Sequence, residues 1–249
     1  MKAIQLHIDS IKTTFETFSK GKFLYYFIPG AVIGLIYMYF YFQTKAVSTV
    51  LVDGAEEIPL VGSAISYVFD GIGSIISFIA HEFYKFLILV CLSPVNCILS
   101  EKYDNYLTGN KFDGGIIRII NDIIRAIIIV ILVLLMEYTF LGLWWFLSFI
   151  IPFGDTLTPI IQFIITSFFV GFAFYDYSLE RYGKGTFSSI GFAFSKIFTL
   201  FLTGSIFTII YYIPGIGIIV APVVVTMIAT VVYIRMNNTP ETKKELLED

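Results

Sequence analysis

The sequence predicts an all-α integral membrane protein: an N-terminal amphipathic helix, two long transmembrane helices, and two helical hairpins inserted fully or partly into the bilayer. Three observations predict this. Of the 249 residues 57% are hydrophobic and 14% charged, whereas soluble domains carry about 25% charge. Several apolar runs approach the roughly 20 residues that cross ~30 Å of hydrocarbon. Two pairs of such runs meet at proline–glycine turns, Ile151-Pro152-Phe153-Gly154-Asp155 and Ile213-Pro214-Gly215-Ile216-Gly217. Proline removes a backbone donor and glycine accepts turn dihedrals, so a helix folds back at each.

At the N-terminus, Ile4, Ile8, Ile11, Phe15 and Phe18 recur at spacings of four, three, four and three. That is one stripe of a helix lying in the membrane surface or on the protein body. Asp9 and Glu16 interrupt the first twenty residues, so no cleavable signal peptide is expected. Lys20-Gly21-Lys22 turns the chain into a first spanning run, Phe23 to Gln43. Its Gly30 and Gly34 form GxxxG, which permits close helix contact. After the acidic loop 44–58, Pro59 to Leu99 is long enough for an extended helix or a break near Pro94.

Residues 101–125 read as a polar connection. The first hairpin follows, then a connection 176–189, then the second hairpin with arms Ile197 to Ile213 and Ile216 to Ile234. A second proline trails each apex, Pro159 and Pro222. Residues 1–235 form one polytopic domain, and 236–249 a polar cytoplasmic tail. Lysine and arginine gather in the N-terminal segment, 101–125, 176–189 and the tail. The positive-inside rule therefore puts these segments and both termini in the cytoplasm, as for a multi-pass protein of the cell (inner) membrane.

A net charge of −3 argues against nucleic-acid binding. Cys91 and Cys97, six apart, make neither a CxxC motif nor a zinc framework and read as buried free thiols. His81-Glu82 begins like HExxH but ends in Lys85, so no metal site and no enzyme activity are expected. Arg118, Asp122 and Arg125 share one helical face. They suit an oxyanion, or snorkel to set topology. Glu137 stands inside an apolar run, where an isolated carboxylate costs ~2.5–3.5 kcal/mol to insert, so it needs a partner or a water path. Asp176 reads as a cap for the segment after the first hairpin. The helix N-termini beyond Gly154 and Gly217 offer free amides to an anion.

Ser93-Pro94-Val95-Asn96, Glu101, Leu107-Thr108-Gly109, Asp122, Arg125, Ile151-Pro152, Tyr175-Asp176-Tyr177, Ile213-Pro214, Ala221-Pro222-Val223-Val224-Val225 and Ala229-Thr230 follow one another in a familiar order. From residue 20 onward the chain resembles the CysZ-type sulfate permeases, relatives of the eukaryotic etoposide-induced membrane proteins. The resemblance implies a homo-oligomeric permease or channel for sulfate uptake without ATP, with no cofactor. Lys20, Gly21, Lys22, Arg118 and Arg125 become anion-binding candidates, and Asp122, Glu137 and Asp176 intramembrane polar ones. The family's Gly-Leu-Arg element is matched by Gly21-Lys22-Phe23 without its arginine, and its Arg-Glu pair after the position of Arg125 gives way to apolar residues 126–130. The alternative is a non-transporting membrane scaffold or membrane-shaping interaction protein.

Overall fold

A computed structural model describes residues 2–36, 38–39, 90–110, 116–213 and 216–237, with side chains omitted at 116–119 and 122. The expected loop 44–58, His81-Glu82, Pro214, Gly215, most of the tail, and the side chains of Arg118 and Asp122 lie outside what is described. Among the described residues every regular element is helical and none is a strand: α1 (Lys2–Ser19), α2 (Leu24–Ile36), α3 (90–108), α4 (Ile116–Ser148), α5 (Gly154–Arg181), α6 (Thr186–Ser195), α7 (Ile197–Tyr211) and α8 (Gly217–Asn237). Three stretches are long and apolar enough to cross a membrane, Ile123–Ser148, Gly154–Arg181 and Gly217–Asn237.

α8 is the centre. Its apolar window is 83% buried within the chain, against 33% for α4, so α8 is covered by protein while α4 turns one side outward. Val223, Val225, Met227, Val231 and Val232 join it to the surrounding helices. The other helices close around it where small residues let backbones meet. A Cβ on Gly204 would collide with the Ser167 carbonyl, and one on Gly171 with the Leu200 carbonyl, so α5 and α7 cross backbone to backbone. The GxxxG of α2 packs within the chain: a Cβ on Gly30 would stand 3.3 Å from the Ile219 Cα.

α4 and α5 are joined by a tight connection, as are α7 and α8. Gly154 and Gly217 are the first residues of α5 and α8, and Pro159 and Pro222 lie at the same offset in each helix. At the first apex the left-handed residue is Phe153 (φ 63°), not the glycine after it. Gly154 serves by close approach instead, since a Cβ there would meet the Ser148 carbonyl.

Several expectations are corrected. Of the two alternatives for Pro59 to Leu99, an extended helix or a break near Pro94, the described part excludes the break, since the helix runs through Pro94. Residues 101–108 continue α3, and 116–125 already belong to α4, so little of 101–125 is a connection. α5 continues past Asp176 to Arg181 and ends with Gly183 at φ 78°. There Gly183 N–H donates to the Glu180 carbonyl and Lys184 N–H to the Leu179 carbonyl, a glycine-dependent stop. Gly21 (φ 71°) ends α1 in the same way, with Lys22 N–H on the Thr17 carbonyl. α6 and α7 meet at 92°, a bend that no proline or glycine announces. Cys97 is buried but Cys91 is exposed, because only part of α3 faces the core.

α1 has three faces. Ile4, Ile8 and Phe15 are exposed, so most of the predicted apolar stripe points away from the body. The fully buried residues of α1 are polar, His7, Ser10, Thr14 and Thr17, with Leu6, Ile11 and Phe18 packed beside them against the body. Ser10 and Thr17 return their hydroxyls to carbonyls four residues back, so they enter the interior already paired. Charged residues take the third face.

Candidate functional site

Polar side chains gather at the end of the bundle where α4 begins and α5 and α8 finish. On one side of α5, Arg125 of α4 donates through Nη2 to Asp176 Oδ1 and to Ser189 Oγ of α6, each at 3.1 Å. Its Nε lies 3.7 Å from Glu180 Oε1. Asp176 is 1% exposed and Arg125 21%. Asp176 is therefore an ion-pair partner inside α5, not the cap of the next segment. The expected anion ligand Arg125 faces two carboxylates, so this junction holds no surplus positive charge.

On the other side of α5, Arg181 donates through Nε to Asp104 Oδ2 of α3 at 3.0 Å, with Nη2 also 3.0 Å from that oxygen in the ion pair. It also donates to Ser100 Oγ at 3.1 Å and Ser178 Oγ at 3.2 Å. Ser100 lies 2.8 Å from Thr230 Oγ1, which returns its proton to the Thr226 carbonyl of α8. The guanidinium is thus wired into three helices. Thr108 and Tyr182 donate to Asp104 Oδ1. Burial and the Asp104 charge push the Tyr182 hydroxyl up to about 12, so it remains a donor.

A third polar chain ties α1 to the body. His7 Nδ1 donates to the Ala3 carbonyl at 2.8 Å, which leaves Nε2 to accept from Thr203 Oγ1, also at 2.8 Å. Tyr175 OH then donates to Thr203 Oγ1 at 3.0 Å. Burial lowers the His7 pKa below its ordinary value. Thr17 meets Tyr103 OH at 3.2 Å, and Arg235 donates to Thr13 at 2.8 Å, so α1 straps across α7, α8 and α3.

Glu137 is fully buried and accepts from Thr166 of α5 at 2.8 Å. Toward the α4–α5 turn, Trp144 Nε1 donates to Thr158 Oγ1 at 3.0 Å. A recess of about 250 Å³ follows, lined by Leu141, Trp144, Ser148, Asp155, Thr158 and Gln162 among others. Between Glu137 and Arg125 the seam is apolar, with Val130, Val133, Phe169 and Ala173 buried in one cluster.

The structure brings Arg125 and Asp176 together and leaves Lys20 and Lys22 exposed in the α1–α2 turn. Glu137 lies on the far side of the apolar section from them. The sequence assigns no site role to Asp104, Arg181, Ser100, Ser189, Thr230 or His7. One signal was available: Tyr175-Asp176-Tyr177-Ser178-Leu179-Glu180-Arg181 ends an apolar run with polar groups on opposite helix faces, too many for a simple boundary. No group of three or more histidine, cysteine or acidic side chains suited to a metal occurs among the described residues. No family model matches the chain.

Proposed function

We propose that the protein is an integral membrane permease for a small oxyanion, with sulfate the substrate that the sequence resemblance favours. The observation that carries this reading is the ligand set around Asp176. A guanidinium and a neighbouring hydroxyl converge where the carboxylate of Asp176 stands in for an oxyanion. An incoming anion would take its place on Arg125, drawn by the exposed Lys20, Lys22, Lys184 and Lys196. Of the two predicted helix N-terminal anion sites, α5 carries Asp155 in its first turn and α8 carries no acidic residue there. The Gly217 end is thus the better of the two.

The bilayer in this reading lies between the arginine end and the tryptophans. From Arg125 to Trp145 of α4 is roughly 30 Å at ~1.5 Å per residue, and from Gly217 to Arg235 of α8 roughly 27 Å. α4, α5 and α8 cross in this reading, while α6 and α7 form a bent pair, with the basic end cytoplasmic and aromatic residues at the other boundary. α1 lies along the cytoplasmic interface with Ile4, Ile8 and Phe15 in the acyl boundary. Apices at the far interface need no protein around them, so the expected homo-oligomer would rest on other surfaces.

Radiolabelled sulfate flux into proteoliposomes tests the proposal. Flux well above empty vesicles, lowered at least tenfold by Arg125→Ala, is expected. Flux equal to empty vesicles across a range of pH would refute it. A scaffold is the second reading, favoured by the neutralisation of Arg125 by Asp176 and Glu180. It predicts no flux, together with cellular function that survives Arg125→Ala.

A further inference from the structure

The chain has two tryptophans, Trp144 and Trp145, and both line the recess between α4 and α5. On α4 they stand between Leu141 and Ser148 at helical spacing, and on α5 Asp155, Thr158 and Gln162 recur in the same way. The two stripes face each other across the space, which measures about 250 Å³. That is room for about eight waters at ~30 Å³ each. The walls are set before anything enters. Trp144 Nε1 donates to Thr158 Oγ1 at 3.0 Å, and Thr158 in turn donates to the Gly154 carbonyl, also at 3.0 Å. Trp145 stands edge to face with Phe149, ring centroids 4.8 Å apart.

One charged side chain shares this space with the rings. The Asp155 carboxylate has neither a hydrogen bond nor an ion pair among the described residues. No lysine, arginine or histidine is among the described residues lining the recess, and none occurs between 126 and 180. The α5 N-terminus adds roughly half a positive charge, which offsets only part of Asp155 and leaves the mouth negative. An anion meets no cation here, and Ser148, Thr158 and Trp144 have already committed their protons. A hard metal ion takes about six or more oxygens, beyond what one carboxylate, two hydroxyls and one amide supply. An alkylated ammonium sheds water at less cost, lays its methyl groups on aromatic faces and balances the carboxylate.

We propose that this recess binds an alkylated ammonium group of about the size of choline, with Trp144, Trp145 and Phe149 packed on its methyls and Asp155 as its counter-charge. The recess lies at the end of the bundle opposite Arg125, at the far interface in the bilayer placement above. Free cations and lipid head groups both reach that level. The site stands whether or not the oxyanion reading does.

Because both tryptophans of the chain line the site, their emission reads it without a label. The full chain in phosphatidylglycerol nanodiscs, whose lipid carries no ammonium, is titrated with choline, with its uncharged isostere dimethylbutanol and with sodium chloride. Choline is expected to shift the emission saturably, at a midpoint about tenfold or more below that of the isostere, with no shift from sodium. Asp155→Asn, at an exposed position, should raise the choline midpoint about tenfold. The comparison of choline with its isostere needs no substitution, so it decides even if a variant fails to fold. Phosphatidylcholine nanodiscs then identify the source. A choline midpoint raised severalfold there marks a lipid head group as the occupant, and an unchanged midpoint marks a free cation. No saturable shift in phosphatidylglycerol, equal midpoints for choline and the isostere, or undiminished binding by a folded Asp155→Asn protein would overturn the site. Sulfate flux is not read, so a failed transport assay leaves these outcomes standing.

Discussion

Replacing Asp104 by alanine should be among the most damaging single changes in this protein. Asp104 is fully buried and Arg181 is 4% exposed, so solvent does not screen the pair. The substitution leaves a desolvated guanidinium with the hydroxyls of Ser100 and Ser178 but without its carboxylate. Removing one partner of a buried pair costs about 3–5 kcal/mol, whereas replacing both with apolar residues of similar volume is often neutral. At ~2–4 °C per kcal/mol for a chain of this size, the midpoint should fall by about 6–20 °C. Thermal unfolding in detergent, followed by size-exclusion chromatography, measures it. Asp104→Leu combined with Arg181→Met should recover most of the loss. A fall of less than ~1 kcal/mol for Asp104→Ala, or a double variant as unstable as the sum of the singles, would refute the view that this pair clasps α3 to α5.

Gly204→Ala should destabilise by more than ~3 kcal/mol, since its Cβ meets the Ser167 backbone. Gly30→Ala should cost under ~1 kcal/mol, because its 3.3 Å contact yields by a few tenths of an ångström; denaturant titration of both ranks them. The strap formed by α1 should loosen in acid. The His7 pKa is lowered in the folded state, so its contribution is complete above the ordinary value near 6.5 and fades as pH falls through it. A spin label at Gln5→Cys should gain mobility between pH 7.5 and 5, and His7→Phe should remove that dependence. In a Trp144→Phe/Trp145→Phe background, Phe15→Trp should be quenched by lipids brominated along the acyl chain, and Gln5→Trp should not. Asp176→Asn should raise sulfate flux severalfold at low sulfate if the carboxylate occupies the anion's place. A loss of stability with no change in flux would favour the scaffold.

The helices were legible because their determinants are local. Composition selects lipid as the solvent, and the Pro-Gly apices, visible in short windows, divide long apolar runs where the chain reverses. Proline near a helix start was the weaker signal. Pro94 lies within a described helix, and Pro159 and Pro222 sit inside α5 and α8 without ending them. The α6–α7 bend at Lys196 has no such residue and depends on how α7 crosses α5. For α1, periodicity showed an apolar stripe but not which stripe would meet the body. A helix with both lipid and protein as neighbours can give much of its aliphatic side to lipid and bury hydroxyls, as Ser10 and Thr17 do by bonding back to carbonyls along the helix.

The site was less legible because each member is defined by a partner far away in sequence. Arg125 meets Asp176 across 51 positions and Arg181 meets Asp104 across 77. Read singly, a cation at the start of a spanning run is a topology signal and an acid at the end of one is a cap. Paired across α5, they become the means by which a helix carrying three charged residues near its end, Asp176, Glu180 and Arg181, is buried at all. The same step changes what the arginines can do. A surplus cation recruits anions from solution, whereas one already bound to a carboxylate admits an anion only by exchange, at a rate set by how readily the carboxylate is released. Any selectivity at Arg125 therefore depends on Asp176 and Ser189, on two other helices, as much as on the guanidinium itself.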